Sequence, residues 1–205
     1  RRRGGTQARM AEEAFLARYA RVHRTLHGDG RECVTRITQT CTEMVRDRGL
    51  TTVHVAPDPI RAALADEPVV RAADASGAPV LVYVHTEDRV GIKWIRGVIA
   101  DAALIVVSVD GPTVFARKEC ERMRVQFLIA REVYENVTRH AYFSKHERVD
   151  APPEGVTVAQ LPRILTTDRV VVYYDWPCGS IVSIARTWGG AEVVPYFRVV
   201  TAVQS

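Results

Sequence analysis

The chain has 205 residues, 47% apolar and 25% charged, with a formal charge of +4. That composition belongs to a folded chain and excludes wholesale disorder, and the length suits one ordinary domain or two small ones. No apolar run approaches bilayer length, and Arg1-Arg2-Arg3-Gly4-Gly5 is not followed by the apolar core of a secretion signal, so a soluble intracellular protein with no membrane partner is expected.

In chain order, residues 1–30 read as an extension with one amphipathic helix. Phe15, Tyr19, Val22 and Leu26 fall at helical spacing, and Gly28-Asp29-Gly30 ends the run. A second helix places Val34, Ile37, Cys41, Met44 and Val45 on one face and closes at Gly49. A third starts with Asp58 as N-cap and Pro59 at the first helical position, burying Ile60, Ala63 and Leu64. Residues 73–78 suit a loop, Val80 to Val84 a strand, Ile92 to Ala100 a short helix, and Ala103 to Val109 a second strand. Leu104-Ile105-Val106-Val107 has no polar interruption, which is expected of a strand covered on both faces. Asp110-Gly111-Pro112 makes a turn, Thr113 caps a helix running to about Met123, and Val125 to Ile129 is a further strand. Helices alternating with strands imply an α/β layer over residues 31–138.

Residues 139–205 differ in character. Beyond the rigid connection Asp150-Ala151-Pro152-Pro153-Glu154-Gly155, short strands are expected at Val170 to Tyr174, Ser180 to Thr187 and Ala191 to Val203. Gly189-Gly190 supplies the positive φ angles of a tight hairpin. Pro195 has no N–H for a ladder and therefore marks an edge or a bulge. A β-rich unit this small gains from burial against a partner.

These residues line up with a known family. Asp47-Arg48-Gly49, Val90-Gly91-Ile92-Lys93, Leu104-Ile105-Val106-Val107, Asn136-Val137-Thr138-Arg139-His140 and His146 occur in order. The densest stretch holds Gln160-Leu161-Pro162-Arg163-Ile164, Asp168, Tyr173, Gly179, Val182, Ile184, Arg186, Tyr196, Arg198 and Val199. In this pattern the chain resembles the fifth shared subunit of eukaryotic nuclear RNA polymerases I, II and III, whose carboxy-terminal half corresponds to a small archaeal polymerase subunit. The resemblance covers about residues 32–203. It implies an α/β jaw domain with a nuclease-like, helix-flanked sheet at 31–138, and a small α+β, β-rich assembly domain at 139–205. It further implies docking on the largest polymerase subunit, contact with other subunits, a place beside downstream duplex DNA, and no catalysis by this subunit. The chain departs from the family pattern at several points. Arg169 stands where proline is expected and Asp175 where glycine is typical. The segment between Val149 and Gln160 is shorter than the family's usual, so a helix of the assembly domain is reduced or lost, and Thr187-Trp188-Gly189-Gly190 replaces a serine- and glutamate-rich stretch. A divergent viral or protist member fits these departures, with a nuclear, virion or host-cell location.

Residue types bear on the chemical alternatives. The cysteines Cys33, Cys41, Cys120 and Cys178 form no Cys-x-x-Cys pair and read mainly as buried apolar residues. Of 28 basic residues only Lys93, Lys118 and Lys145 are lysine; the arginine excess suits phosphate contacts, but a GC-rich genome is the favoured explanation of it. A metal-dependent nuclease needs a carboxylate two residues before a strand lysine, and none of the three lysines has one. His23 and His27 share a helix face but have no evident third ligand. His140 and His146 are structural hydrogen-bonders by the resemblance. No catalytic residue, metal site or cofactor is therefore expected.

Two interaction sites are expected. Pro112 and Thr113, followed by Arg117 and Lys118, offer a helix start and two cations to a phosphate in sequence-independent DNA contact, with Asp110 opposing and an ordinary turn as the alternative. Leu161, Pro162, Arg163, Ile164, Arg186, Tyr196 and Arg198 are the expected docking residues, an arginine clamping a partner carboxylate at two points. The other functional readings are a nuclease-fold enzyme and a stand-alone regulator that binds transcription factors.

Overall fold

A computed structural model describes residues 2–22, 29–98, 101–120, 123–188 and 192–203. The chain divides into two compact units, Arg1–Glu135 and Asn136–Ser205.

The first unit opens with helices α1 (Arg2–Ala20) and α2 (Gly30–Asp47). Next come β1 (Thr51–Val55), α3 (Pro59–Leu64), β2 (Val70–Ala73), β3 (Pro79–Val84), α4 (Ile92–Val98), β4 (Ala103–Ser108), α5 (Val114–Cys120), β5 (Val125–Ile129) and the short α6 (Ala130–Val133). The sheet runs β1-β2-β3-β4-β5; β1, β2 and β3 pair antiparallel, whereas β3, β4 and β5 pair parallel. Parallel neighbours need helical crossovers, and α4 and α5 supply them. On one face Tyr83, Leu104 and Val106 pack with Val90, Ile95 and Cys120. Alternate residues Val82, Val84, Ile105 and Val107 are also buried and point to the opposite face, because strand side chains alternate. The uninterrupted run in β4 is thus covered on both sides, as its composition implies.

Helix α1 is part of this core rather than an appendage. Phe15 and Tyr19 are fully buried, their rings 5.0 Å apart in an edge-on pair. Tyr19 Oη donates to the His85 carbonyl at 2.8 Å, fixing α1 to the carboxyl end of β3. Asp29 and Gly30, expected to terminate the first helix, instead start the second. Asp29 caps α2 by accepting the Arg31 N–H. Gly30 lies so close to α1 that a Cβ there would fall 2.0 Å from the Leu16 carbonyl oxygen. Asp58 caps α3 through the Ile60 and Arg61 amides, with Pro59 following it, as expected. Leu26, His23, His27, Gly189 and Gly190 lie outside the described residues.

The second unit contains β6 (His146–Val149), β7 (Arg163–Leu165), α7 (Arg169–Tyr174), β8 (Ile181–Trp188) and β9 (Glu192–Thr201), with sheet order β6-β8-β9-β7. β8 and β9 pair antiparallel from Ile181↔Val199 to Trp188↔Glu192. β7 runs parallel to β9 but pairs only with Val199, Val200 and Thr201. Pro195 therefore sits on a stretch of β9 that no third strand reaches, which removes the cost of its missing N–H. Between β6 and β7 the only helical turn among the described residues is Val158–Gln160, closed by a capping box between Thr157 and Gln160.

Val170 to Tyr174, expected as a strand, is helix α7. Asp168 accepts the Val170 N–H at 2.9 Å as N-cap, and Asp175 ends the helix in the left-handed region at φ 55°. The β-branched run favours a strand only weakly; burial of Val170, Val171 and Tyr173 on one helical face overrides it.

Candidate functional site

The second unit is built around Ile164, Val171, Val182, Ile184 and Val200, with Trp176 packed against them. Residues opposite one another in a ladder share a face, so Val182 and Ile184 carry Arg198 and Tyr196 on the same side. Arg186 follows one step beyond, opposite Val194. The core-facing side of the β8–β9 ribbon thus turns from apolar at Val182, Ile184 and Val200 to basic and aromatic at Arg186, Tyr196 and Arg198. The Arg186 and Arg198 guanidinium carbons lie 5.1 and 5.2 Å from the centroid of the Tyr196 ring. Arg198 also donates to the Arg163 carbonyl at 2.8 Å, tying β9 to the start of β7.

The expected docking residues therefore divide. Leu161 and Ile164 are buried in the unit's own core. Pro162, Arg163, Arg186 and Tyr196 are exposed and Arg198 is half-buried; Arg163 pairs with Val199, so it points to the opposite face of the sheet from Arg186, Tyr196 and Arg198. No carboxylate pairs with Arg163, Arg186 or Arg198 among the described residues, so their charge is available to a partner. Such a surface can take an acidic side chain by two-point hydrogen bonding or an apolar one against Tyr196. Leu165, 45% exposed, lies with Arg163 on that opposite face; its exposure was not evident from the apolar pattern.

In the first unit, the turn Asp110 to Thr113 is stitched to Val90: the Val90 N–H donates to the Gly111 carbonyl, and the Thr113 N–H to the Val90 carbonyl. Pro112 is buried at that bridge. Thr113 Oγ1 accepts the Ala116 N–H at 3.2 Å, so the amide at this helix start is already engaged. Arg117 and Lys118 are exposed on α5, as is Asp110. Beside them Val114 is 65% and Phe115 78% exposed, an apolar pair that sequence reasoning did not single out.

His140 and His146 each bond to nearby backbone: Nδ1 of His140 accepts the Tyr142 N–H, and Nδ1 of His146 lies against the Ser144 carbonyl. Among the described residues, no three His, Cys, Asp or Glu side chains group as a metal site. Cys33, Cys41 and Cys120 are buried and Cys178 is exposed.

The second unit is a small mixed domain with an apolar core and a basic, aromatic rim. Residues 135–200 match the family described as RNA polymerase Rpb5, C-terminal domain, a span that falls on the second compact unit. Residues 135–200 are thus similar to the C-terminal domain of an RNA polymerase subunit, and residues 1–134 lie outside the match. No curated protein matches the chain.

Proposed function

We propose that this protein is a non-catalytic subunit of a DNA-directed RNA polymerase. Its second unit docks on the largest subunit, and its first unit forms part of a jaw beside downstream duplex DNA during transcription. The observation that carries this reading is the coincidence of the Rpb5-type match with a self-contained unit whose rim presents Arg163, Arg186 and Tyr196. A unit of that size gains stability by burying its rim on a large partner. The first unit contributes Arg117 and Lys118, with Pro112 and Thr113 shaping the turn before them. Contact through such cations is indifferent to base sequence and weakens with salt, because phosphates supply it. The catalytic metal ions sit on other subunits, and this subunit uses no cofactor. Its place of action is the nucleus, or the virion and host cell for a viral enzyme; transcription factors are further partners of the jaw.

Affinity purification of the tagged chain from the cells that make it tests the reading. Both large polymerase subunits should accompany it in near-equal amounts. Recovery with transcription factors but without those subunits, or magnesium-dependent DNA cleavage by the isolated chain, would overturn it.

A further inference from the structure

A crevice of about 870 Å³ opens in the first unit beyond the carboxyl end of β3, bounded by α4. Its volume lies within the range of small-molecule sites. His85, the residue after β3, lines it and is only 4% exposed. Nδ1 of that imidazole has no hydrogen-bond partner. A buried polar nitrogen left unpaired carries a desolvation cost, which a small turn of the ring toward the crevice and a bond to a ligand atom would relieve.

The surroundings restrict what that ligand is. Trp94 lies 4.6 Å from the His85 ring, centroid to centroid, and stands edge-on to Tyr83 at 5.5 Å. The indole is fixed in place, since its N–H donates to Asp66 Oδ1 at 2.6 Å. Asp66 itself adopts φ 54°, an unusual backbone conformation for a residue with a side chain. Both carboxylates of the crevice are engaged: Asp66 by that indole, and Glu87 by Arg18 at 3.0 Å. Its cations are not, because Arg89 and Lys93 form no ion pair among the described residues and both are exposed. The site therefore offers flat aromatic surface, one buried nitrogen and two exposed cations free of ion pairs, with the Asp66 carboxylate, bonded only to a neutral indole, on the same lining.

We propose that this crevice binds a nucleotide, its base lying against Trp94 and bonded to His85 Nδ1, its phosphate held by Lys93 and Arg89. A base edge carries both donors and acceptors, so it satisfies Nδ1 in either imidazole tautomer. Aromatic stacking is tolerant of base identity. Arginine and lysine supply the phosphate contacts. The same chemistry is offered by a free mononucleotide and by the 5′-phosphorylated end of a nucleic acid strand. The site lies outside residues 135–200 and does not depend on the docking role of the second unit.

The full-length chain, labelled with ¹⁵N, is titrated with AMP, GMP, CMP and UMP up to about 10 mM, the weak end of specific binding. The matched nucleosides, inorganic phosphate and a 5′-phosphorylated oligonucleotide serve as further probes. The Trp94 indole N–H, assigned with Trp94→Phe, is the reporter. At least one nucleotide should give a saturable shift, and its nucleoside a weaker one. Gly97 lines the crevice, and a side chain built there meets open space. Gly97→Leu should therefore narrow the crevice without disturbing the fold and weaken binding at least about tenfold. Lys93→Gln combined with Arg89→Gln should weaken the nucleotide toward its nucleoside. Tighter binding of the oligonucleotide assigns the strand end as the source of the ligand, and tighter binding of a mononucleotide assigns the free species. No saturable shift with any nucleotide, a shift unchanged in Gly97→Leu, or the same shift from phosphate alone would overturn the proposal.

Discussion

Asp168 and Asp175 bracket helix α7 with opposite geometries: the first accepts the Val170 N–H at 2.9 Å from an extended backbone, and the second sits in the left-handed region at φ 55°, ψ 42°. In that second conformation Asp175 allows the Trp176 and Asp175 amides to donate to Val171 and Val172. The left-handed region costs an L-residue roughly 1–2 kcal/mol, somewhat less for Asp, and costs glycine nothing. Asp175→Gly should therefore stabilise the second unit by about 0.5–1 kcal/mol after the extra freedom of unfolded glycine is deducted. Asp168→Ala should cost about 1 kcal/mol through the lost cap. Hydrogen exchange at the Asp175 and Trp176 amides of the full chain reads both changes, slowing in the first variant and quickening in the second.

Those two aspartates also mark where the sequence was legible and where it was not. Caps with a favourable neighbour announced themselves, as Asp58-Pro59 did for α3. The parallel core was visible because Leu104 to Val107 form an apolar run long enough to need cover on both faces. At α7 the same signals were present in weaker form, with Arg169 in place of a first-turn proline and Asp175 in place of glycine. The run Val170-Val171-Val172 then outweighed them. β1 escaped notice for a different reason: its residues are mostly exposed, Val53 at 67%, so no alternation betrays an edge strand. The expected docking cluster was read as one stretch, but only tertiary packing separates the buried Leu161 and Ile164 from the exposed Arg163.

That separation makes two substitutions diverge. Leu161→Asp places a charge in a position 7% exposed and should destabilise the second unit by several kcal/mol, losing polymerase association through unfolding. Arg163→Glu, on an exposed strand end, should leave the thermal midpoint nearly unchanged while cutting co-purification with the largest subunit. Melting curves alongside pull-downs distinguish the two. Normal association of a folded Arg163→Glu variant would remove that arginine from the docking surface.

The contact of α1 with α2 admits no side chain at Gly30. A methyl group there would meet the Leu16 carbonyl at 2.0 Å, and backbone cannot yield as a flexible side chain does. Gly30→Ala should cost about 1–3 kcal/mol, the range of overpacking in a close-packed interior. Tyr19→Phe should cost about 1–2 kcal/mol by leaving the His85 carbonyl without its donor. Urea unfolding of the full chain measures both; an unchanged midpoint in Gly30→Ala would show that α1 is not held as described.

Alkali should loosen this same region. Burial pushes the Cys33 and Cys41 thiols from 9.0 up to about 12, with Arg36 partly opposing it at Cys33 and Arg48 at Cys41. Burial also raises the Tyr19 hydroxyl well above its ordinary value. Between pH 9 and about 12 the unfolded chain releases protons that the folded chain keeps, so stability falls as pH rises through that window. In the native protein at neutral pH a bulky thiol reagent should modify Cys178 alone, the three other thiols being buried. Mass spectrometry before and after denaturation counts the adducts.

Acid acts on the first unit through His85. Burial lowers its pKa below the ordinary 6.5, with Arg18 adding to the effect, while the Arg89 backbone, Asp66 and Glu87 pull the other way without reversing it. The folded state therefore holds the imidazole neutral at a pH where the unfolded chain has already bound a proton. Below pH 6.5 the unfolded state gains protons relative to the folded one, and stability declines as pH falls until the folded-state value is reached. His85→Gln keeps a polar group without the titration. Its urea midpoint should change less than that of the parent chain between about pH 7.5 and pH 5, the interval over which histidine titrates. Parallel pH profiles for the two proteins would mean that His85 takes up its proton in the folded state as readily as in the unfolded one.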